Sequence, residues 1–471
     1  MTIALCSVRP RMTHGTPLIL LTMSLGVLIA QIDTSVVNLA IKHIGADFHS
    51  GVSALQWVVD AYNLVYASLL LTAGALADLH GRRKIFVLGI ALFTVGSLIC
   101  GLAPNAIVLI AGRAIAGLGA ALEVPTSLAI LTVAYQDTNR RTRALGLWAS
   151  CNGLAFIIGP TIGGVLVDAV GWRSIFLLII PLCVLALVLT IRSVPESKNP
   201  TARRFDLPGQ ALAVTALGAL ALAVIEGPRW GWLSTESIAS VVTSIVTAAW
   251  FLRRQATDGT LVPLPMFKNR AFSACLGVAT GMTFGMYAML FLTPLYLQSA
   301  RGVSAPVAGL ELLPMSVTFL VVSQLSGKIA NEFGPRVPMT AGMAMMGTGL
   351  FMLALISVND SLALIEASLL VIGCGLGLNT GPVNAVAVAN VPAARSGTAS
   401  GLVNTARMVG ATLGVAILGA VSAMFSGGIG DSGHIVAGLA PAYICGGIGE
   451  MIGACAAFMF IRHDSLRQRT T

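Results

Sequence analysis

Residues 74–84 read GALADLHGRRK, and a related stretch, GKIANEFGPR, occupies residues 327–336. Each stretch lies between two long apolar runs, and the two are about 253 residues apart. A second pair of segments has a similar offset, because Arg143-Ala-Leu-Gly146 is echoed by Arg395-Ser-Gly397 at the head of a glycine-rich helix. A repeat of this kind predicts two structurally equivalent halves, as in repeat-built membrane proteins.

The composition is that of a chain folded in lipid. Of 471 residues, 56% are apolar and 10% charged, whereas about 25% are charged in a typical soluble domain. A membrane span needs about 20 apolar residues, and the chain has fourteen such runs, the tenth over 305–330. We predict an all-α polytopic membrane protein with 14 transmembrane helices. Its parts are an N-terminal six-helix half (1–195), a linker with two extra transmembrane helices (196–268) and a C-terminal six-helix half (269–471).

The basic residues predict the orientation. If the N-terminus is cytoplasmic, 22 of the 28 Lys and Arg residues lie on the cytoplasmic side or in the termini. This asymmetry predicts that both termini lie in the cytoplasm and supports an even number of spans. We expect a multi-pass protein of a bacterial inner membrane. The net charge of +9 does not indicate nucleic-acid binding, because the basic residues lie at helix ends and form no stripe. We expect a monomer in the lipid bilayer.

Several chemistries are disfavoured by the sequence. The eight cysteines are scattered, with no C-x-x-C pair and no histidine at zinc-ligand spacing. No Gly-x-x-x-x-Gly-Lys-Ser/Thr motif for ATP is present. Residues 373–377 carry the pattern Gly-x-Gly-x-Gly, but it follows no strand and is therefore not a dinucleotide loop. We expect a protein that is not an enzyme, uses no cofactor or metal, and draws energy from a gradient.

Three ionisable residues lie inside apolar runs at a similar depth. Asp33, Asp60 and Arg113 are each about 10 Å below the outer surface at 1.5 Å per residue. A charge in the bilayer core costs at least about 2.5 to 3.5 kcal/mol, so such residues are functional candidates. Two acids beside one cation cannot both be ionised cheaply, which predicts a proton-coupling site. The alternative is a static Asp–Arg pair that only orients helices.

Candidates for a central cargo cavity are less sharply defined. Glu123 follows Arg113 by ten residues, about 15 Å deeper toward the cytoplasm. It could accept cargo or a proton, or it could be a partner for basic loop residues. Glu311 lies near an outer helix end, where contact with water is the alternative role. The full candidate set is Glu123, Asn38, Tyr62, Arg407 and Glu311.

The stretch quoted first is also a candidate cytoplasmic gate. Its members are Gly74, Asp78, Gly81, Arg82 and Arg83. The glycines allow a tight turn and close helix approach, and the ion pairs can hold one conformation shut. The rule that basic residues stay inside accounts for Arg83, but not for Gly74, Asp78 and Gly81 together.

The fifth apolar run contains Gly159-Pro160-x-x-Gly163-Gly164. Small residues four apart let two helix backbones approach closely, and proline adds a bend. We interpret these four residues as a packing motif, and generic helix packing explains its glycines equally well.

Together these motifs resemble the major facilitator superfamily, and specifically its fourteen-helix drug:proton antiporter branch. Residues 33–40 look like the branch's first-helix motif and residues 57–62 like its second-helix motif. Residues 74–84 are similar to motif A of the superfamily. Residues 111–119 are similar to motif B, whose arginine, here Arg113, is implicated in proton transfer.

The resemblance covers nearly the whole chain. Residues 159–164 resemble motif C, the antiporter signature, and residues 226–232 look like the turn between the two inserted helices. Within the branch, residues 143–148 and 308–314 are similar to the methylenomycin A resistance exporters.

Three positions depart from the branch pattern. Leu79 stands where motif A often has a basic residue, which removes one expected contact of the gate. Glu123 occupies a position that is usually apolar in the branch. The cargo-binding residues of other members therefore cannot be assigned to this chain by position. Ile179 replaces a common asparagine.

The resemblance implies a secondary active efflux transporter that exports small lipophilic drugs or antibiotics in exchange for protons by alternating access. Its partners would be a small lipophilic substrate, protons and the lipid bilayer. An exporter or facilitator of an endogenous metabolite, such as a sugar or amino acid, is the alternative. Polar cargo should demand several Asn, Gln and Ser side chains at the midplane, where Gly, Ala, Leu and Met predominate. A membrane receptor or sensor should carry a sizeable soluble domain, and the longest loop is under about 20 residues.

Overall fold

A computed structural model describes residues 16–198, 206–257, 262–357, 362–392, 395–425 and 432–463. These residues form fifteen α-helices and one short 3₁₀ helix at Leu264–Lys268. The helices are α1 (Thr16–Phe48), α2 (Val52–His80), α3 (Arg82–Gly101), α4 (Ala106–Ala134), α5 (Thr138–Ala169), α6 (Ser174–Ser193), α7 (Leu207–Trp230), α8 (Thr235–Thr257), α9 (Arg270–Ser299), α10 (Ala305–Glu311), α11 (Leu313–Phe333), α12 (Arg336–Leu353), α13 (Leu362–Ala389), α14 (Ser396–Phe425) and α15 (Ser432–Phe460).

The all-α polytopic class expected from the sequence is confirmed. Thirteen helices of the described chain are long and apolar enough to cross a membrane, when α10 and α11 are counted as one. The remaining predicted span corresponds to α12, which has 18 residues. The predicted span 305–330 is divided at Leu312, because Pro314 stands in the first turn of α11 and cannot donate a helical hydrogen bond.

The same helix pairs pack together in each half of the bundle. In the first half α1 packs against α4, α5 and α6, and in the second half α9 packs against α13, α14 and α15. Likewise α3 packs on α4 and α6, as α12 packs on α13 and α15. The repeat seen in the sequence is therefore a repeat of packing. The limits 1–195, 196–268 and 269–471 of the three parts stay a prediction.

The halves are joined at one end of the bundle. We call the end at which α1 stops and α2 begins the outer end, following the orientation that the basic residues predict. There Lys42 Nζ donates to the carbonyl of Gln298 at 2.7 Å, and Gln298 Nε2 donates to the carbonyl of Leu39 at 3.0 Å. The backbone of Gly164 packs directly on Ala305 of α10, with no room for a side chain. The outer end is closed.

Toward the inner end the halves separate. Two seams run between them: α2 packs against α14, which we call the α2–α14 seam, and α5 packs against α10 and α11, the α5–α11 seam. Near the middle of the second seam, Gly153 of α5 touches Leu320 of α11. Nearer the inner end, no heavy atom lies within 4 Å of a Cβ built on Gly146 of α5 or on Gly327 of α11. The two halves are therefore in close contact at the outer end and leave open space at the inner end of the α5–α11 seam.

The two inserted helices lie at the periphery. Helix α7 packs against both α2 and α14, and α8 packs on α7. Within an 18-residue apolar stretch of each helix, 28% of the residues of α7 and 17% of those of α8 are buried, against 67% for α1. Most of the surface of this pair faces outward, toward lipid.

The contact at Gly164 generates a prediction about stability. We expect Gly164→Val to lower the unfolding temperature, because its side chain would meet the backbone of Ala305 and overpacking costs about 1–3 kcal/mol. Gly146→Val is the matched control, since it lies on the same helix beside open space. Thermal unfolding in detergent measures both. Equal unfolding temperatures for the two variants would contradict the closed outer contact.

Candidate functional site

A buried ion pair lies at the centre of the first half. Arg113 Nη1 of α4 donates to Asp33 Oδ2 of α1 at 2.5 Å. Asp33 is 0% exposed and Arg113 is 1% exposed. The other carboxylate oxygen, Asp33 Oδ1, has no hydrogen-bond partner among the described residues. One acceptor position of the acid is thus free to take a proton or another donor.

Helix α2 supplies the rest of the arginine's surroundings. Arg113 Nε donates to the backbone carbonyl of Val58 at 3.0 Å. The guanidinium carbon lies 4.5 Å from the centre of the Tyr62 ring and 5.9 Å from that of Phe176, within the range of cation–π attraction. Tyr62 in turn donates its hydroxyl to the carbonyl of Ala30 at 3.3 Å. Backbone and aromatic groups of the protein thus surround the ion pair.

Glycines on α4 bring the helices close enough for this. Gly117 lies directly against the backbone of Tyr62, and a Cβ there would clash with it. Gly112 and Gly119 lie equally close to α3, against Cys100 and Phe93. Small residues at helix interfaces allow such close backbone approach in membranes. The motif around Arg113 therefore packs α4 against two helices and points the arginine toward α1.

Asp60 lies on another face of α2. One turn away on the same helix, Gln56 Nε2 donates to the carbonyls of Val415 and Ala416 on α14, at 3.0 and 3.1 Å. Asp60 is displaced from Gln56 by roughly 40° around the helix, and from Val58 and Tyr62 by roughly 160°. Asp60 therefore faces the α2–α14 seam, away from Arg113.

The acid at this seam is wholly buried, and Asn63 is its polar neighbour. Asp60 is 0% exposed and Asn63, one turn further along the same face, is 1% exposed. Asn63 lies close enough to Asp60 for a side-chain interaction, but within the described part of the chain no hydrogen bond of good geometry reaches either carboxylate oxygen of Asp60. The structure thus brings Asp33, Arg113 and Tyr62 together and places Asp60 between the two halves.

A second polar group spans the two halves below this layer. Glu123 of α4 is 1% exposed, and its Oε1 has no partner within the described ranges. It lies within electrostatic range of Tyr66 on α2, and Tyr66 lies within range of Tyr287 on α9. Arg407 of α14 lies within range of Tyr287. Together these four side chains, two from each half, are the best candidates for the walls of a central cavity.

The contacts of Arg407 differ from those of Arg113. Arg407 Nη2 donates to the carbonyl of Thr380 at 3.1 Å, and Arg407 Nε has no partner. No ion pair to a carboxylate is found for it among residues that the structure describes. Arg407 is therefore a cation that forms no ion pair with a carboxylate among the described residues.

The two remaining cavity candidates lie elsewhere. Asn38 of α1 is buried and donates from Nδ2 to the carbonyl of Thr34 at 3.2 Å, within its own helix. Glu311 ends α10 at the outer end, in electrostatic contact with Glu366 and Arg301. Glu311 is therefore remote from the group around Glu123.

The predicted gate residues form an ion pair and a tight turn within the first half. Arg82 Nη2 and Nε donate to Asp78 Oδ1 at 2.7 and 2.9 Å. Gly81 has a φ of 113°, a conformation that side chains disfavour. The carboxylate of Glu196, beyond α6, accepts from the backbone N–H groups of Arg83 and Lys84 at 3.1 and 3.2 Å. The first turn of α3 is thereby tied to the end of α6.

The glycine–proline motif of α5 packs in two directions. Gly159 and Gly163 lie against Ser35 and Val36 of α1, so that side chains at either position would clash. Pro160 presents its carbonyl to Gly309 of α10, in the other half. At the outer end, the motif thus packs α5 against α1 of its own half and against α10 of the other half.

Several residues of the site were not found from the sequence. Gln56, Tyr66, Tyr287 and Glu196 carry contacts described above, yet each is an ordinary residue in its stretch. Tyr66 and Tyr287 are 221 positions apart, so only the fold brings them together. Gln56 did offer a signal, since it is a polar residue one turn from Asp60 on one helix face.

Membrane-length helices in two repeated halves, closed at one end and holding charged groups inside, define a transport protein of the alternating-access class. A profile of the Major Facilitator Superfamily matches residues 23–415. The chain belongs to the major facilitator superfamily.

Named relatives agree with this assignment. The chain is 41% identical over 409 residues to "Multidrug resistance protein Stp" of Mycobacterium tuberculosis, covering 86% of this chain and 76% of the relative. It is 35% identical to "Methylenomycin A resistance protein" of Bacillus subtilis, covering 86% and 87%. Among solved structures, a D-xylose-proton symporter superposes with a TM-score of 0.70 at 17% identity, covering 97% of this chain and 100% of that one.

The buried pair allows a test that is independent of transport. Arg113→Met leaves Asp33 as an uncompensated acid, and breaking a buried pair in this way costs about 3–5 kcal/mol. We expect the double variant Asp33→Leu with Arg113→Met to be more stable than Arg113→Met alone. Chemical or thermal unfolding of the purified protein measures the difference. A double variant that is less stable by the sum of both single losses would mean that the two side chains do not interact.

Proposed function

We propose that this protein is a secondary active transporter that exports small lipophilic drugs or antibiotics in exchange for protons. The observation that carries the proposal is the set of buried acids, Asp33 beside Arg113 and Asp60 in the seam, in a chain of this family. The relatives named for resistance to drugs support an antibiotic or drug as cargo. Protons are the coupling ion that buried carboxyl groups can bind directly.

Asp60 gives the coupling a physical basis. An ionised carboxylate buried without a partner costs several kcal/mol, whereas the neutral acid is tolerated. The closed outer seam, with Asp60 wholly buried between α2 and α14, is therefore compatible with the protonated acid. Loss of that proton to the inner cavity leaves a charge in the seam and favours separation of α2 from α14 at the outer end. Protonation from outside reverses the step.

The Asp33–Arg113 pair is a second position at which a proton can bind. Protonation of Asp33 removes the charge that holds the guanidinium, leaving Arg113 with the Val58 carbonyl and the Tyr62 ring. Both of these contacts belong to α2, the helix that carries Asp60. A change in the ion pair is thus transmitted to the seam through one rigid helix.

The central group of side chains suits an amphipathic cargo. Tyr66 and Tyr287 offer ring faces, while Glu123 and Arg407 offer charges of opposite sign from opposite halves. A molecule bound there contacts both halves at once, as alternating access requires. We further propose that the protein acts as a monomer in a bacterial inner membrane, with both termini in the cytoplasm.

Substitution of the seam acid tests the coupling. We expect Asp60→Asn to abolish accumulation of drug in everted vesicles driven by an imposed proton gradient, and to lower resistance in a pump-deficient host. Glu236→Gln, an exposed acid on α8, is the matched control and should retain both activities. Gradient-driven accumulation that survives in Asp60→Asn would remove Asp60 from the coupling mechanism.

Substitution of Glu123 tests cargo recognition separately from proton coupling. We expect Glu123→Gln to weaken transport of cationic drugs about tenfold or more, because a hydrogen bond to a charged group contributes about 1.5–3 kcal/mol. Neutral drugs should be exported as before, still driven by the proton gradient. Initial rates over a range of drug concentrations give the comparison. Equal loss for cationic and neutral drugs would exclude a direct cargo contact.

A further inference from the structure

The inserted helix α7 lies along the α2–α14 seam. It packs against α2 on one side and against α14 on the other, while α8 packs behind it. Ala221 and Ile225 of α7 form one apolar cluster with Ala416 of α14, joined at its edge by Trp57 of α2. One helix thus touches both halves along the line where they meet.

The attachment of α7 to α2 is polar and occurs near both ends. At the inner end, Thr72 donates its hydroxyl to Gln210 Oε1, and Gln210 Nε2 donates to the carbonyl of Ser68 at 2.6 Å. At the outer end, Glu226 Oε1 accepts from Ser53 Oγ at 2.5 Å and from Trp57 Nε1 at 3.1 Å. Gln210 and Glu226 are separated by about 24 Å along the helix axis. Two polar anchors that far apart fix the direction of α7 relative to α2.

The attachment of α7 to α14 is of a different kind. The described contacts between these two helices are apolar, centred on the small side chains of Ala221 and Ala416. Within the described ranges, no hydrogen bond or ion pair links α7 to α14. In an apolar medium a broken hydrogen bond leaves its groups without partners, whereas apolar surfaces can slide and keep their contacts. Of the two contacts, the one with α14 is therefore the one that can move.

We propose that α7 and α8 travel with the first half as a fixed cover over the α2–α14 seam, and that lipid-dissolved cargo reaches the central cavity through the α5–α11 seam. The route of the cargo rests on the function proposed above, whereas the attachment of the cover does not. The cover keeps lipid and cargo away from the seam that holds Asp60.

The opposite seam has no such cover. Helices α5 and α11 contact each other at Gly153 and Leu320 and, one turn nearer the inner end, through a hydrogen bond from Gln324 Nε2 to Ser150 Oγ at 3.3 Å. Beyond that bond there is open space at Gly146 and Gly327. Leu147, beside this opening on α5, is 60% exposed. The opening lies in the inner part of the membrane span. A lipophilic molecule in that leaflet can approach the opening along the exposed side chain of Leu147.

Paired cysteines test the attachment of the cover. In a variant without the eight native cysteines, Thr72→Cys with Gln210→Cys links α2 to α7, and Ala221→Cys with Ala416→Cys links α7 to α14. We expect the first cross-link to leave the drug transport rate within about twofold. The second should lower the rate at least tenfold, with recovery on reduction. Transport that survives the α7–α14 cross-link, or that is lost with the α2–α7 cross-link, overturns the proposal.

Distances between spin labels at the same two pairs give a readout that does not need transport. Between acidic and alkaline samples, the α2–α7 distance should stay constant while the α7–α14 distance changes. A change in the α2–α7 distance, or constancy of the α7–α14 distance in a protein whose outer end opens, overturns the cover even if the cargo is not a drug. If the proposed function is wrong but the cover is attached as proposed, the α2–α7 distance should still stay constant and the α7–α14 distance should still change.

A bulky thiol label tests the route. In the same background, labelling Leu147→Cys on α5 should reduce export of lipophilic drugs at least tenfold. Labelling Ile245→Cys on α8 is the matched control, since Ile245 is 62% exposed on the cover, and it should leave export unchanged. Equal inhibition at both positions, or inhibition at Ile245→Cys alone, excludes the α5–α11 route.

Discussion

The ion pair between Asp33 and Arg113 is the interaction around which the first half is arranged. Neither group meets water, so each needs the other, and their 2.5 Å contact requires α1 and α4 to pack at one depth and rotation. The glycines of α4 permit that approach, and α2 completes it with the Val58 carbonyl and the Tyr62 ring. Because an unpaired charge in the interior costs several kcal/mol, this geometry is strongly constrained. The position of α2 follows from it.

Helix α2 therefore has two functional faces. One face holds Arg113, and the opposite side of the helix, roughly 100–160° around the axis, carries Gln56, Asp60 and Asn63 toward α14. A rigid helix cannot change its contacts on one face without affecting the other, so the proposed proton binding at the ion pair would be transmitted to the seam through α2. The same helix also carries α7 by hydrogen bonds. A single element thus connects the ion site, the boundary between halves and the inserted helices.

The sequence predicted the features of the fold that depend only on positions along the chain. Spans, the repeat and the shared depth of Asp33 and Arg113 follow from apolar length and 1.5 Å per residue. Counting gives depth but not the direction that a residue faces relative to other helices, so Asp60 was grouped with Arg113 although it faces α14. The approach of Tyr66 and Tyr287 depends on packing between halves that no local pattern encodes. The break at Leu312 was readable from Pro314, but the apolar run continued through it.

The topology constrains what an insertion between the halves can do. Helix α6 ends and α9 begins at the inner end, so only an even number of added spans preserves the orientation of the second half. Added spans cannot enter the core without displacing the repeated contacts of α1 and α9, and they must therefore pack outside. On the periphery, polar residues in lipid need partners, and Gln210 and Glu226 find them on α2. Their hydrogen bonds place α7 and α8 over the α2–α14 seam and leave the α5–α11 seam uncovered. The two seams of a symmetric fold therefore differ in how they face the membrane.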